Sequence, residues 1–121
     1  MIVDTGTLKI IQTITHYSLH FFFPLVIAWV FFKEDWKKTY LILLCTMLVD
    51  LDHLLATPIF EPGRCSIGFH PLHSYYAIAV YFLLIFQKNK VIRIIAIGLL
   101  FHMFTDYQDC LWNSYILNYG K

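Results

Sequence analysis

The sequence predicts an all-α integral-membrane protein, a four-helix up-and-down bundle formed by residues 1–121 as one domain, with a polar pocket in its outer half. Two observations predict the fold class. Hydrophobic residues make up 59% of the 121 positions and charged residues 14%, whereas soluble domains carry about 25% charged residues, so the chain cannot cover a water-facing surface. Four apolar stretches, near 14–32, 39–56, 69–87 and 91–110, each have the roughly 18 to 20 residues that a helix needs to cross a hydrocarbon core. A net charge of +1 gives no basic stripe for nucleic acid, so partners are expected at the membrane.

The first stretch lacks a basic leader and a small-residue cleavage site, and it carries His16 and His20; it reads as a retained helix rather than a signal peptide. Pro24 removes the backbone bond to the His20 carbonyl, which predicts a kink there. Its aromatic residues, among them Phe21, Phe22, Phe23 and Trp29, face lipid in part or a second copy. A charged connector at 33–38 leads to the second stretch, where Cys45 is expected to pack as a small hydrophobe and where Asp50, Asp52 and His53 cluster toward the end. After the outer loop 57–68, the third stretch begins with His70 and Pro71. Proline is favoured at the first helical position, which places His70 near the N-cap and His73 in the first turn. The connector 87–90 leads to the fourth stretch, in which Gly98 lies one turn from His102 and allows another helix to approach.

Both short connectors lie on one side. Counted from that side, His20, Asp50 and His102 stand about 11 to 12 residues up, and His16, His53, His70, His73 and Asp106 about 14 to 17, a spread of roughly 10 Å of helix rise. All six histidines therefore share one thin layer. Lys33, Lys37, Lys38, Lys88, Lys90 and Arg93 flank the connectors, against Lys9, Arg64 and Lys121 on the other side. The connectors are then cytoplasmic, and the pocket and both termini face the periplasm of a bacterium. Cys65 and Cys110 share that outer side, either as a disulfide or as two unpaired thiols.

The spacing within the layer suits metal binding. His16 and His20 are four apart, as are His102 and Asp106, and Asp50 and His53 are three apart, so each pair projects from one helix face. Buried carboxylates need cations, and only Lys9 and Arg64 are near; a divalent metal supplies the missing charge. Mixed imidazole and carboxylate ligands fit zinc best, with manganese, iron and nickel open, as one or two ions. The expected ligands are His16, His20, Asp50, His53, His70, His73, His102 and Asp106. Asp52 is expected to face away from Asp50 and to orient a histidine. Asp109 is a ligand, a base or a solvated helix-end residue. Arg64 is a clamp for phosphate or a lipid headgroup, or an interfacial anchor. Ser74 and Thr105 either support the ligands or bond their own backbone. The alternative for the whole layer is a set of interhelical hydrogen bonds.

Three blocks, Asp50-Leu51-Asp52-His53, His70-Pro71-Leu72-His73-Ser74 and Gly98 through His102 to Asp106, resemble in kind and order those of metal-dependent hydrolases of the bacterial inner membrane, of the LexA-regulated type. The chain differs from that family in the closer spacing of His70 and His73 and in Val49, where a proline usually precedes the first aspartate. It is more similar still to a group of small bacterial membrane proteins catalogued as a domain of unknown function. The resemblance implies a four-helix membrane metalloprotein. The function expected from residues and resemblance together is metal-dependent hydrolysis of a phosphoester in a lipid or other amphiphile. Asp109, Asp52 and Arg64 would assist, and loop 57–68 would face the substrate. Two alternatives remain: a noncatalytic metal sensor or carrier, and a haem-binding electron carrier.

Overall fold

The computed structural model describes residues 4–59, 61 and 64–119; Lys121, counted above among the outer charges, lies outside them. Its elements are α1 (Thr5–Phe31), α2 (Trp36–Cys45), α3 (Tyr75–Leu84) and α4 (Lys90–Tyr119). A 3-10 run, Thr46–Leu55, continues α2, and a 3-10 turn, Pro71–His73, precedes α3. No strand occurs among the described residues.

α1 and α4 extend beyond the stretches that announced them, because apolar composition marks burial in an apolar medium and not the limit of helical hydrogen bonding. α1 begins at Thr5 because Asp4 caps it, accepting from the Thr7 N–H at 2.7 Å. Two helices, Thr5–Phe31 and Lys90–Asn118, are long and apolar enough to cross a membrane.

Contacts fix the topology. α4 packs against α1, α2 and α3, and α1 also packs against α2. Along α1 and α4 the partners run in opposite directions: Ala28 clusters with Ile94, Phe23 stacks on Phe101 and Gln12 bonds Asn113. Between the second segment and α4 they run in parallel, from Leu43 with Ile94 through Thr46 with Gly98 to Asp50 with His102. That is an up-and-down bundle with α4 as the common partner. At the connector end Lys90 Nζ donates to Asp35 at 2.8 Å, which holds the Asp35 carboxyl below the ordinary carboxylate range.

The second segment departs from the expected single α-helix. From Thr46 its buried residues are Thr46, Val49 and Asp52, a spacing of three that matches the three residues per turn of a 3-10 helix. The Thr46 hydroxyl bonds the Leu43 carbonyl in the same tight turn. About 15 Å of α-helix followed by about 20 Å of 3-10 helix keeps this segment as long as a bilayer core. Cys45, expected to be packed, is exposed, because the change of pitch turns Thr46 inward in its place. Nothing larger than Gly98 fits opposite: a Cβ there would lie 2.6 Å from Thr46 Cγ2.

The third segment is also shorter than expected. Ser74 has extended backbone and its hydroxyl accepts from the Ala77 N–H at 3.2 Å, so α3 starts at Tyr75 and the turn before it is a separate piece. The loop ahead of that turn is knotted by the Gly68 N–H donating to the His73 carbonyl at 3.0 Å, with Gly68 at φ 80°. A disulfide joins Cys65 to Cys110, with Cα atoms 5.1 Å apart, and ties this loop to α4.

Candidate metal centre

The 3-10 pitch decides how the Asp50 and Asp52 pair works. In this geometry both carboxylates reach one imidazole, that of His73, which is fully buried. Asp52 Oδ2 lies 2.9 Å from Nδ1 and Asp50 Oδ1 lies 3.3 Å from Nε2. The expectation that Asp52 points away from Asp50 is thus half right: the side chains diverge but converge again on opposite edges of the same ring. Asp52 Oδ2 also accepts from the Leu72 N–H at 2.9 Å. An ionised carboxylate is acceptor only, so His73 Nδ1 carries the proton and its Nε2 presents a lone pair.

That lone pair faces acceptors. Nε2 of His73 is 3.0 Å from Asp106 Oδ2 and 3.3 Å from Asp50 Oδ1, yet it is buried without hydrogen-bond geometry to either. Nε2 of His102 completes a ring, 3.0 Å from the same Asp50 oxygen and 3.2 Å from the same Asp106 oxygen. The four atoms alternate nitrogen and oxygen. Tetrahedral zinc with bonds of about 2.0 to 2.1 Å places neighbouring ligand atoms about 3.3 Å apart. The arrangement of Asp52 behind His73 is the carboxylate support that metal-bound imidazoles commonly have. Nδ1 of His102 is buried without a partner, so of the two imidazoles only His73 is braced from behind.

The described residues thus contain a group, Asp50, His73, His102 and Asp106, whose ligand atoms lie within 4.8 Å of one another and which could hold a metal ion; His16, His20 and Asp106 form another. Asp52, His53 and His73 meet the same distance criterion, but the contacts assign them differently. His53 Nδ1 points at Asp52 Oδ1, 3.1 Å, and at the Asp50 carbonyl, 3.0 Å, and is therefore a donor. Its Nε2 accepts from the Ser66 hydroxyl at 3.3 Å. Both nitrogens of His53 are spent on hydrogen bonds. His70, one of the expected ligands, joins none of these groups; its ring lies tilted against that of His53 with centroids 3.9 Å apart.

Charge sharpens the point. Asp50, Asp52 and Asp106 sit together, and the only ion pair of a lysine or arginine with a carboxylate among the described residues is Lys90 with Asp35, at the far end. Arg64 donates to the Pro58 and Ile59 carbonyls at 2.6 and 3.2 Å and lies over the Phe69 ring. Asp109 accepts from Gln12 Nε2 at 2.8 Å. The Thr105 hydroxyl bonds the Phe101 carbonyl, so Thr105, like Ser74, serves the backbone.

A cavity of about 470 Å³ reaches the centre through His16, His20, Asp50, Asp106 and Asp109. It adjoins a second hollow of about 510 Å³, and Arg64, Glu61 and Asp109 line both. Gln12, Asn113, Ser66 and the Leu72 N–H take part without having been singled out in the sequence. Gln12 and Asn113 were visible as the next four-residue steps beyond His16 and Asp109; Ser66 and the Leu72 amide left no signal, because the loop alone brings them in.

No curated protein and no solved structure matches the chain. What does match is the model of a family of unknown function, DUF6122, over residues 10–113, and the chain belongs to that family.

Proposed function

We propose that the protein is a multi-pass protein of the bacterial inner membrane whose metal centre faces the periplasm and hydrolyses a phosphoester in a lipid or other amphiphile. The observation that carries this reading is the closed ring of Asp50, His73, His102 and Asp106 at the inner end of an open cavity, with a lone pair of His73 aimed at carboxylate oxygens. Several apolar side chains stand exposed, such as Phe22 at 62%, Phe86 at 71% and Leu83 at 64%, which supports an apolar surrounding for α3 as well as for the long helices. The disulfide supports an oxidising compartment on the side of the centre. The resemblance of its three blocks to those of inner-membrane hydrolases supports the reaction class.

A divalent ion supplies a Lewis acid for phosphoryl oxygens and makes water acidic near neutral pH. The chain's own residues do the rest. Asp52 holds the His73 ring, Asp109 on the cavity wall takes up a proton, and Arg64, at the junction of the two hollows, attracts the anionic group.

The test is elemental analysis of protein purified in detergent without chelator, followed by phosphate or headgroup release from lipid phosphomonoesters and phosphodiesters in mixed micelles. Stoichiometric transition metal with turnover that Asp50→Asn abolishes is the expected result; metal-free, wild-type-stable protein overturns it. A second reading is favoured by one feature, the four protein ligands, since a filled tetrahedral shell is the mark of a noncatalytic site. Stoichiometric metal with no hydrolysis of either lipid class would select that sensor-like role.

A further inference from the structure

His16 and His20 are not used by the ring of four. Nε2 of His20, whose side chain is 4% exposed, stands 3.7 Å from Asp106 Oδ1, and the buried Nδ1 of His16 has no hydrogen-bond partner and lies 3.8 Å from Asp109 Oδ1. The two rings sit side by side with centroids 4.5 Å apart. Two imidazoles held next to each other in a largely apolar bundle, one of them with a buried nitrogen that has no hydrogen-bond partner, are costly unless something occupies that lone pair.

Asp106 connects them to the first centre. Its Oδ2 lies between His73 and His102, at 3.0 and 3.2 Å, while its Oδ1 is directed to His20. The two oxygens of one carboxylate therefore serve two different sets of imidazoles, which is the geometry of a carboxylate that bridges a metal pair about 3.5 to 4 Å apart. The sets also differ in access. All three of His16, His20 and Asp106 line the cavity, whereas of the first set Asp50 and the shared Asp106 do and His73 and His102 do not. A set of three protein ligands leaves a fourth tetrahedral position free, as catalytic zinc sites do.

We propose that His16, His20 and Asp106 hold a second divalent ion, bridged to the first through Asp106 and with its free coordination position open to the cavity. This rests on the metal reading of the first centre and adds to it a division of labour: the position with four protein ligands organises the bundle, and the position with three, whose fourth place is free, receives the phosphoryl group.

The test uses the full chain in detergent, loaded with Mn(II) or Zn(II) and washed free of excess metal. Wild type is expected to hold two ions per chain, and its Mn(II) form to show the electron paramagnetic resonance of an exchange-coupled pair. His16→Ala and His20→Gln should each lower the ratio to one and leave the spectrum of an isolated ion. Asp106→Asn should lower occupancy of both positions, whereas Asp50→Asn should weaken only the first. His16 is the more exposed of the two histidines, so His16→Ala remains informative if the His20 variant misfolds. A wild-type ratio of one that neither histidine variant changes overturns the second site while leaving the first intact. A ratio of two that both variants leave unchanged also overturns it. Absence of any bound ion overturns both centres together.

Discussion

Asp52 carries the most work for its size. It accepts from His73, from the Leu72 amide and from His53, so it anchors the turn before α3 and sets the tautomer of His73, a proposed ligand, without touching the cavity. Asp52→Asn keeps the volume but can present an N–H to His73 Nδ1, which would turn the ring proton toward the centre. Metal affinity is then expected to fall about ten- to a hundredfold, measured by competition with a chromogenic chelator, with helix content by circular dichroism unchanged. Undiminished affinity would show that His73 needs no carboxylate behind it. The residue types and their order were legible in the sequence, because four-residue spacing on a helix is a statement about faces. The sorting of those residues was not. Separating the paired nitrogens of His53 from the buried, unpaired Nε2 of His73 requires the loop 64–70, whose path has no periodicity to read.

The second segment shows what periodicity can and cannot say at the level of an element. Its apolar length was legible, but the same residues satisfy an α or a 3-10 pitch over so short a run, and the choice is made by α4. Gly98 brings the two backbones together at Thr46, and the 3-10 pitch then follows the buried series Thr46, Val49 and Asp52. Gly98→Ala should therefore destabilise the protein by about 1 to 3 kcal/mol, the usual cost of overpacking. Thr46→Ala in the same chain removes both clashing atoms and should recover most of the loss. Thermal melts of the two variants and the double mutant in detergent form the cycle; additive losses would mean that the contact is not what sets the pitch. The long helices α1 and α4 were underestimated for a different reason, since the outer turns carrying Lys9, Gln12 and Asn113 are helical but polar.

For the whole molecule, the up-and-down order and a shared layer of histidines were legible because two short connectors leave little freedom in how four stretches align. Which helix is central was not; α4 earns that place through Gly98 and the buried Ala96 and Ile94, small or branched residues whose neighbours cannot be named from spacing. The orientation proposed here makes a direct prediction. Alkaline phosphatase fused after residue 121 should be active in a bacterial host, and the same enzyme fused within connector 87–90 should be inactive; the reverse pattern would place the centre in the cytoplasm. Reduction of the disulfide should lower the melting temperature, because it frees the loop that carries Ser66 and the Gly68 knot from α4. An unchanged melting temperature under a membrane-compatible reductant would show that the loop is held without it.

The covalent tie between Cys65 and Cys110 also bears on where the proposed centre would obtain its ion. A bond of this kind closes in an oxidising compartment, and Cys110 lies one turn beyond Asp106 on α4, so the proposed ligands would come together where the thiols are oxidised. On the proposed orientation loading would follow export, and the identity of the metal would be set by the supply outside the cytoplasm rather than by the cell's internal buffering. Growth in the presence of a chelator that cannot cross the inner membrane should yield apo protein at normal abundance, while depletion of cytoplasmic metal stores alone should leave the centre filled.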